Sequence, residues 1–101
     1  MLTIVELSDD GKIMKRIRVL DNIIAVESTE TGVEIILSTG KTYQYNLTFG
    51  LIDISRIQSA MKGCSYGMVV WKDQYYLDTL SGWSLRGFVA HATKEMGGDE
   101  E

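Results

Sequence analysis

Up to about residue 47, apolar side chains recur mostly at every second position, the rhythm of a strand whose residues point alternately to two faces. Thr3 to Leu7, Ile13 to Leu20 and Ile23 to Glu27 read this way. So do Val33, Ile35 and Leu37 against Glu34, Ile36 and Ser38, and Tyr43, Tyr45 and Leu47 against Gln44 and Asn46. Asp9-Asp10-Gly11-Lys12, Thr29-Glu30-Thr31-Gly32 and Ser38-Thr39-Gly40-Lys41 punctuate the runs, and each supplies a glycine where a tight hairpin turns. Five strands so joined predict an antiparallel meander. In the second, Ile13, Ile17 and Val19 share one face and Arg16 and Arg18 the other, with Lys15 interrupting the apolar side. A lysine in that place predicts a strand at a sheet edge.

From Phe49 the period lengthens. Leu51, Ile54, Ile57 and Met61 fall on one helical stripe, with Asp53, or Thr48 if the helix begins earlier, as N-cap. Gly63 is placed for the left-handed position after its end, and Lys62 for the negative end of its dipole. Gly63 to Gly67 reads as a loop, and Met68 to Trp71 with Tyr75 to Leu77 as a hairpin around Lys72-Asp73-Gln74. After Thr79-Leu80-Ser81-Gly82, a second helix carries Leu85, Phe88, Val89, Ala92 and Met96 and stops at Gly97-Gly98. Asp99-Glu100-Glu101 is expected to fray. One-sided strands and one-striped helices cover each other most simply in an α+β domain: a curved sheet, then helix, hairpin and a C-terminal helix packed on one face. A partly closed small barrel is the alternative.

Composition fits a single domain over residues 1–101. The chain is 45% hydrophobic and 24% charged, with ten glycines and no proline, which excludes disordered and collagen-like classes. Ten basic against fourteen acidic residues give a net charge of -4, spread evenly over the two halves, and this opposes non-specific attraction to a phosphate backbone. One cysteine, Cys64, cannot form an internal disulfide. No basic leader opens the chain and no apolar run approaches the ~20 residues of a membrane helix. A reducing cytoplasm without membrane contact is the expectation. Asn46-Leu47-Thr48 matches a glycosylation triplet, but with no secretory signal Asn46 is read as a strand residue.

Candidate chemistry is sparse. Cys64 and His91 are the only residues of their kinds, and a nucleophile–base pair would need both in one place; a loop thiol and a helix-surface imidazole is the simpler reading. Asp9, Asp10, Asp53, Asp73 and Asp78 lack metal-loop spacing and read as turn and cap residues. Gly40-Lys41-Thr42 lacks the glycine-rich turn of a phosphate loop and reads as a hairpin corner. No cofactor, no metal and no enzymatic activity are expected.

Two surfaces remain. Trp71, Tyr75, Tyr76 and Trp83 gather aromatic area around Lys72, Asp73 and Gln74; tryptophan and tyrosine dominate protein-interface hot spots because they bury large area and keep a polar tip. Lys72 and Arg86 would be rim charges. The competing reading is a second core under the last helix. Lys12, Lys15, Arg16 and Arg18 form the one local basic run, able to meet phosphates while Tyr43 or Tyr45 stacks a base; packing on the sheet is the simpler role for those tyrosines.

Ile23, Ile24 and Glu27, then Gly40, then the Ile54 to Met61 helix follow an order that resembles the LytTR class of DNA-binding domains over residues 21–70. The basic stretch which that class carries before its late strand is replaced here by Gly63-Cys64-Ser65-Tyr66-Gly67. The resemblance implies nucleic-acid binding. The first expectation is a small acidic, non-enzymatic module acting as adaptor, inhibitor or regulatory subunit by binding another protein through Trp71, Tyr75, Tyr76 and Trp83, with homo-oligomerisation through that surface or an edge strand. The second is a nucleic-acid-binding regulator using the basic strand.

Overall fold

At the first hairpin corner Gly11 takes φ +74°, and Asp10 accepts hydrogen bonds from the Ser8 hydroxyl at 2.6 Å and the Lys12 amide at 3.0 Å. These bonds, the Ser8 one foremost, hold the Asp10 carboxyl below its ordinary range. Strands β1 (Leu2–Leu7) and β2 (Met14–Leu20) pair antiparallel on either side. The computed structural model describes residues 1–97; Gly98 and the Asp99 to Glu101 tail expected to fray lie outside the described residues. After β2 come β3 (Ile23–Ser28), β4 (Val33–Leu37), β5 (Thr42–Tyr45), α1 (Leu51–Met61), β6 (Tyr66–Trp71), β7 (Gln74–Thr79) and α2 (Leu85–Glu95).

The class is α+β and the element order is the expected one. The run of five strands is shared between two sheets, one ordered β2-β1-β6-β7 and the other β3-β4-β5. The chain changes sheet at Asp21-Asn22, and β1 takes β6 as its second neighbour in a parallel pairing, Leu2 against Tyr66 through Glu6 against Val70. Strand β2 is an edge, as Lys15 implied. Lys15 itself is the extra residue where the register slips from Glu6↔Arg16 to Leu7↔Met14, so a bulge and a charge blunt that end of the edge together.

The four-stranded sheet is the middle layer. On one face Leu2, Ile4, Met68 and Leu77 pack with Ile23, Ile35 and Leu37 of the other sheet and with Ile57 and Ala60 of α1. On the opposite face Val5, Leu7 and Val69 pack with Phe88, Val89 and Ala92 of α2. Alternation along β1 decides which residue serves which core. Strand β5 and the residues after it cross this sheet strand by strand: Tyr43 lies at Arg18 of β2, Tyr45 at Glu6 of β1, and Thr48 at Tyr75 of β7.

Helix α2 matches its expected stripe, and Ser84 caps it by accepting the Gly87 amide at 3.1 Å. Helix α1 corrects the expectation. Its buried residues are Ile57 and Ala60, while Leu51 is 90% exposed and Met61 is exposed too, because the helix is rolled so that Asp53 faces Tyr75. Asp53 is not the N-cap; Gly50 is, and Asp53 accepts its amide at 3.1 Å from the third helical position. Gly63, with φ +109°, takes the left-handed position foreseen for it.

Candidate functional site

The four aromatics expected to form one contact surface are divided by the strand alternation of β6 and β7. Tyr75 lies on the α1 side, where its ring meets Phe49 at 5.1 Å and its hydroxyl donates to Asp53 at 2.5 Å. Burial, then the Asp53 bond and charge, raise its phenol well above the ordinary range. Trp71, Tyr76 and Trp83 lie on the α2 side, around Phe88 and His91. Trp71 donates from Nε1 to the Asp9 carbonyl at 3.0 Å and so closes over the first hairpin. Tyr76 packs on Phe88 and reaches Asp78 at 3.3 Å and His91 Nε2 at 3.2 Å. Its phenol is raised by burial first and the Asp78 charge next. Trp83 stacks on His91 at 4.9 Å and keeps 45% of its surface in water. Each ring thus has a partner within the domain.

The basic run is divided in the same way. Arg16 and Arg18 point towards the second sheet, whereas Lys12 lines a groove beside α2 with Met14 and Arg86. Between the sheets a cleft of about 620 Å³ is lined by Glu6, Arg16, Arg18, Val70, Lys72, Asp73 and residues 42–47. Its organising group is Arg18, whose guanidinium lies 4.1 Å over the Tyr43 ring and whose Nε stands 3.5 Å from Glu6. Glu6 also accepts the Tyr45 hydroxyl at 3.2 Å. Burial foremost, then the Glu6 charge, pushes the Tyr45 phenol up to about 12. Tyr43 goes the other way: burial alone would raise it, but Lys41 and Arg18 together hold it below its ordinary value. Among the described residues neither Arg16 nor Lys72 is in an ion pair. Lys72 is also the one described non-glycine residue with positive φ, +58°, a conformation unfavourable to a lysine.

All four residues of β5 and the two that follow it border this cleft although successive strand side chains point to opposite faces, so β5 presents its edge to it. That edge is open, since β5 pairs with β4 alone. At the far edge of the middle sheet, by contrast, Arg56 of α1 donates to the Leu77 carbonyl of β7 and faces Asp78 at 3.9 Å. On the opposite face of the middle sheet a second feature stands out. Helix α2 covers Val5 and Leu7 but not the edge strand beside them, leaving Ile17 and Val19 47% and 56% exposed. By register Ile17 sits against Val5 and Val19 against Thr3, so the bare strip continues the second core sideways.

The sequence pattern missed Glu6, Lys41 and the β5 edge as site elements. The signal was present in part: Arg16 and Arg18, like Tyr43 and Tyr45, share one face by period two, but nothing local says that the two strands face each other. Cys64 is exposed after α1 and His91 lies on α2 across the middle sheet, so the two are not brought together. Among the described residues no three His, Cys, Asp or Glu side chains gather as a metal ion would require, and no helix is long and apolar enough to cross a membrane. Compared with known proteins, the chain matches no family model, no curated protein and no solved structure.

Proposed function

We propose that this domain is a non-enzymatic protein-interaction module whose contact surface is the strip of β2 that α2 leaves bare. The observation that carries the reading is the exposure of Ile17 and Val19 beside a fully formed core. An apolar strip continuous with a core gains the same stabilisation as core packing once a partner covers it, about 25 cal/mol per Å² removed from water. The groove beside it, lined by Leu7, Met14, Val89 and Ala90 with Lys12 and Arg86 at its rim, has the apolar centre and polar border of an interface. The partner is another protein, and a second copy of this chain belongs in that class because most soluble oligomers are homomeric. The aromatic set is a less direct candidate for this contact, since each of its four rings has an internal partner. A reducing cytoplasm is the compartment that suits this reading, and the one exposed, unpaired thiol, Cys64, supports it.

The test is retention of partners by tagged protein, treated with nuclease, alongside light scattering of the purified domain. The wild type is expected to hold a stoichiometric protein or to self-associate, and Ile17→Glu with Val19→Glu to weaken that complex roughly tenfold or more. Both positions are half in water, so the melting temperature should stay close to that of the wild type. Equal retention by the double variant, or complexes lost on nuclease treatment, would remove the strip from the account.

A further inference from the structure

The inter-sheet cleft lies on the other face of the middle sheet from the Ile17 and Val19 strip, and it has a different chemistry. Its wall includes the open edge of β5, four residues long, and the two residues that follow it, Asn46 and Leu47. Such an edge is a template for one more strand, and ~5 residues at ~3.4 Å each would span it. Its mouth carries Arg16 and Lys72, neither in an ion pair among the described residues. Of the two acids in the lining, Glu6 already faces Arg18 and accepts from Tyr45, which leaves Asp73 against two cations. A protein with net charge -4 thus concentrates positive charge at one open strand edge.

We propose, resting on the reading of the domain as a protein-interaction module, that this cleft takes an extended acidic segment of the partner, which adds to β5 as a further antiparallel or parallel strand and places carboxylates at Arg16 and Lys72. Strand addition supplies affinity through the main chain, and alternate side chains supply specificity. The backbone bonds need no particular sequence; the two cations select against basic segments. Lys72 takes its positive φ as the first residue of the two-residue turn between Trp71 and Gln74. A single-stranded nucleic acid suits the cleft less well. Stacking needs a free aromatic face, and here Arg18 already lies over the Tyr43 ring while the Tyr45 hydroxyl is tied to Glu6.

The decisive experiment is a titration of the isotopically labelled domain followed through its backbone amide resonances. Three probes are compared: a capped heptapeptide alternating Val or Thr with Glu, the same peptide with Lys in place of Glu, and an eight-nucleotide oligothymidylate. The acidic peptide is expected to give saturable shifts centred on residues 42–47, with the lysine peptide binding at least roughly fivefold more weakly. Methylating alternate peptide nitrogens, which removes strand donors but no charge, should abolish the shifts. Arg16→Gln with Lys72→Gly should weaken binding roughly fivefold without unfolding the domain, since both side chains are exposed and glycine suits the backbone at position 72. Shifts elsewhere, equal binding of the lysine peptide, or binding of oligothymidylate alone would overturn the proposal. Because the Ile17 and Val19 strip is on the opposite face, an inert cleft leaves the partner complex of the wild type intact, and an inert strip leaves the peptide titration intact.

Discussion

At the scale of single residues, two glycines show that space as well as conformation is encoded in this chain. A Cβ at Gly67 would stand 2.7 Å from the Phe88 ring and 3.0 Å from Leu80, so the missing side chain is what lets α2 settle on β6. Phe88 is buried on all sides and has little room to withdraw. At Gly32 the obstacle is backbone: a Cβ would fall 2.0 Å from the Tyr45 carbonyl oxygen, and neither chain can yield without moving β5. Overpacking of this kind costs ~1–3 kcal/mol where side chains can adjust. Gly67→Ala should therefore lose about that much in urea unfolding, and Gly32→Ala more. Wild-type stability in Gly67→Ala would mean that α2 does not sit on β6 as described. These close approaches were invisible in the sequence, where both glycines read simply as loop and turn residues.

At the scale of elements, what could be read depended on whether the cause was local. All nine elements were legible because period and turn residues are local properties. The α2 stripe of Phe88, Val89 and Ala92 followed from spacing and is what the second core contains. For α1 the spacing of Leu51, Ile54, Ile57 and Met61 suggested a different roll, since a tertiary bond enters: Asp53, besides accepting the Gly50 cap amide, accepts the Tyr75 hydroxyl of β7. The parallel union of β1 with β6, and the passage of the chain from one sheet to the other at Asp21-Asn22, have no short-range signature at all. The cleft inherits that illegibility. Arg18 and Tyr43 were each singled out, but their contact exists only because β5 crosses the middle sheet. Capping, by contrast, is local and testable as such. Ser84→Ala removes the acceptor for the Gly87 amide and should cost about 1 kcal/mol, lowering the thermal midpoint and the exchange protection of the first turn of α2. An unchanged midpoint would show that α2 is held by its packing on Phe88 and Val89 alone.

At the scale of the whole molecule, the layers are joined by phenol–carboxylate contacts, and this gives the fold an alkaline limit. Tyr45 ties the second sheet to Glu6 of the middle one, and Tyr75 ties the middle sheet to Asp53 of α1. In each case burial first, and the neighbouring carboxylate next, favour the protonated phenol in the folded state. An unfolded tyrosine ionises near ~10, so the unfolded chain releases these protons first as pH rises. The stability they contribute is therefore complete below about pH 10 and is lost as pH climbs through the folded value, about 12 for Tyr45. Tyr76 is shifted the same way, while Tyr43, held low by Lys41 and Arg18, contributes in the opposite sense. Three raised phenols against one lowered one set the balance, and denaturant midpoints should fall between about pH 10 and about pH 12 while phenolate absorbance and loss of circular dichroism rise together. Tyr45→Phe keeps the ring against the core but removes both the proton and the bond to Glu6. That variant should begin less stable at neutral pH and decline less steeply over the same alkaline interval, because one of the proton-releasing groups is gone. A wild type whose stability holds through that interval, or a Tyr45→Phe variant with the wild-type slope, would show that Tyr45 is not the link between the sheets.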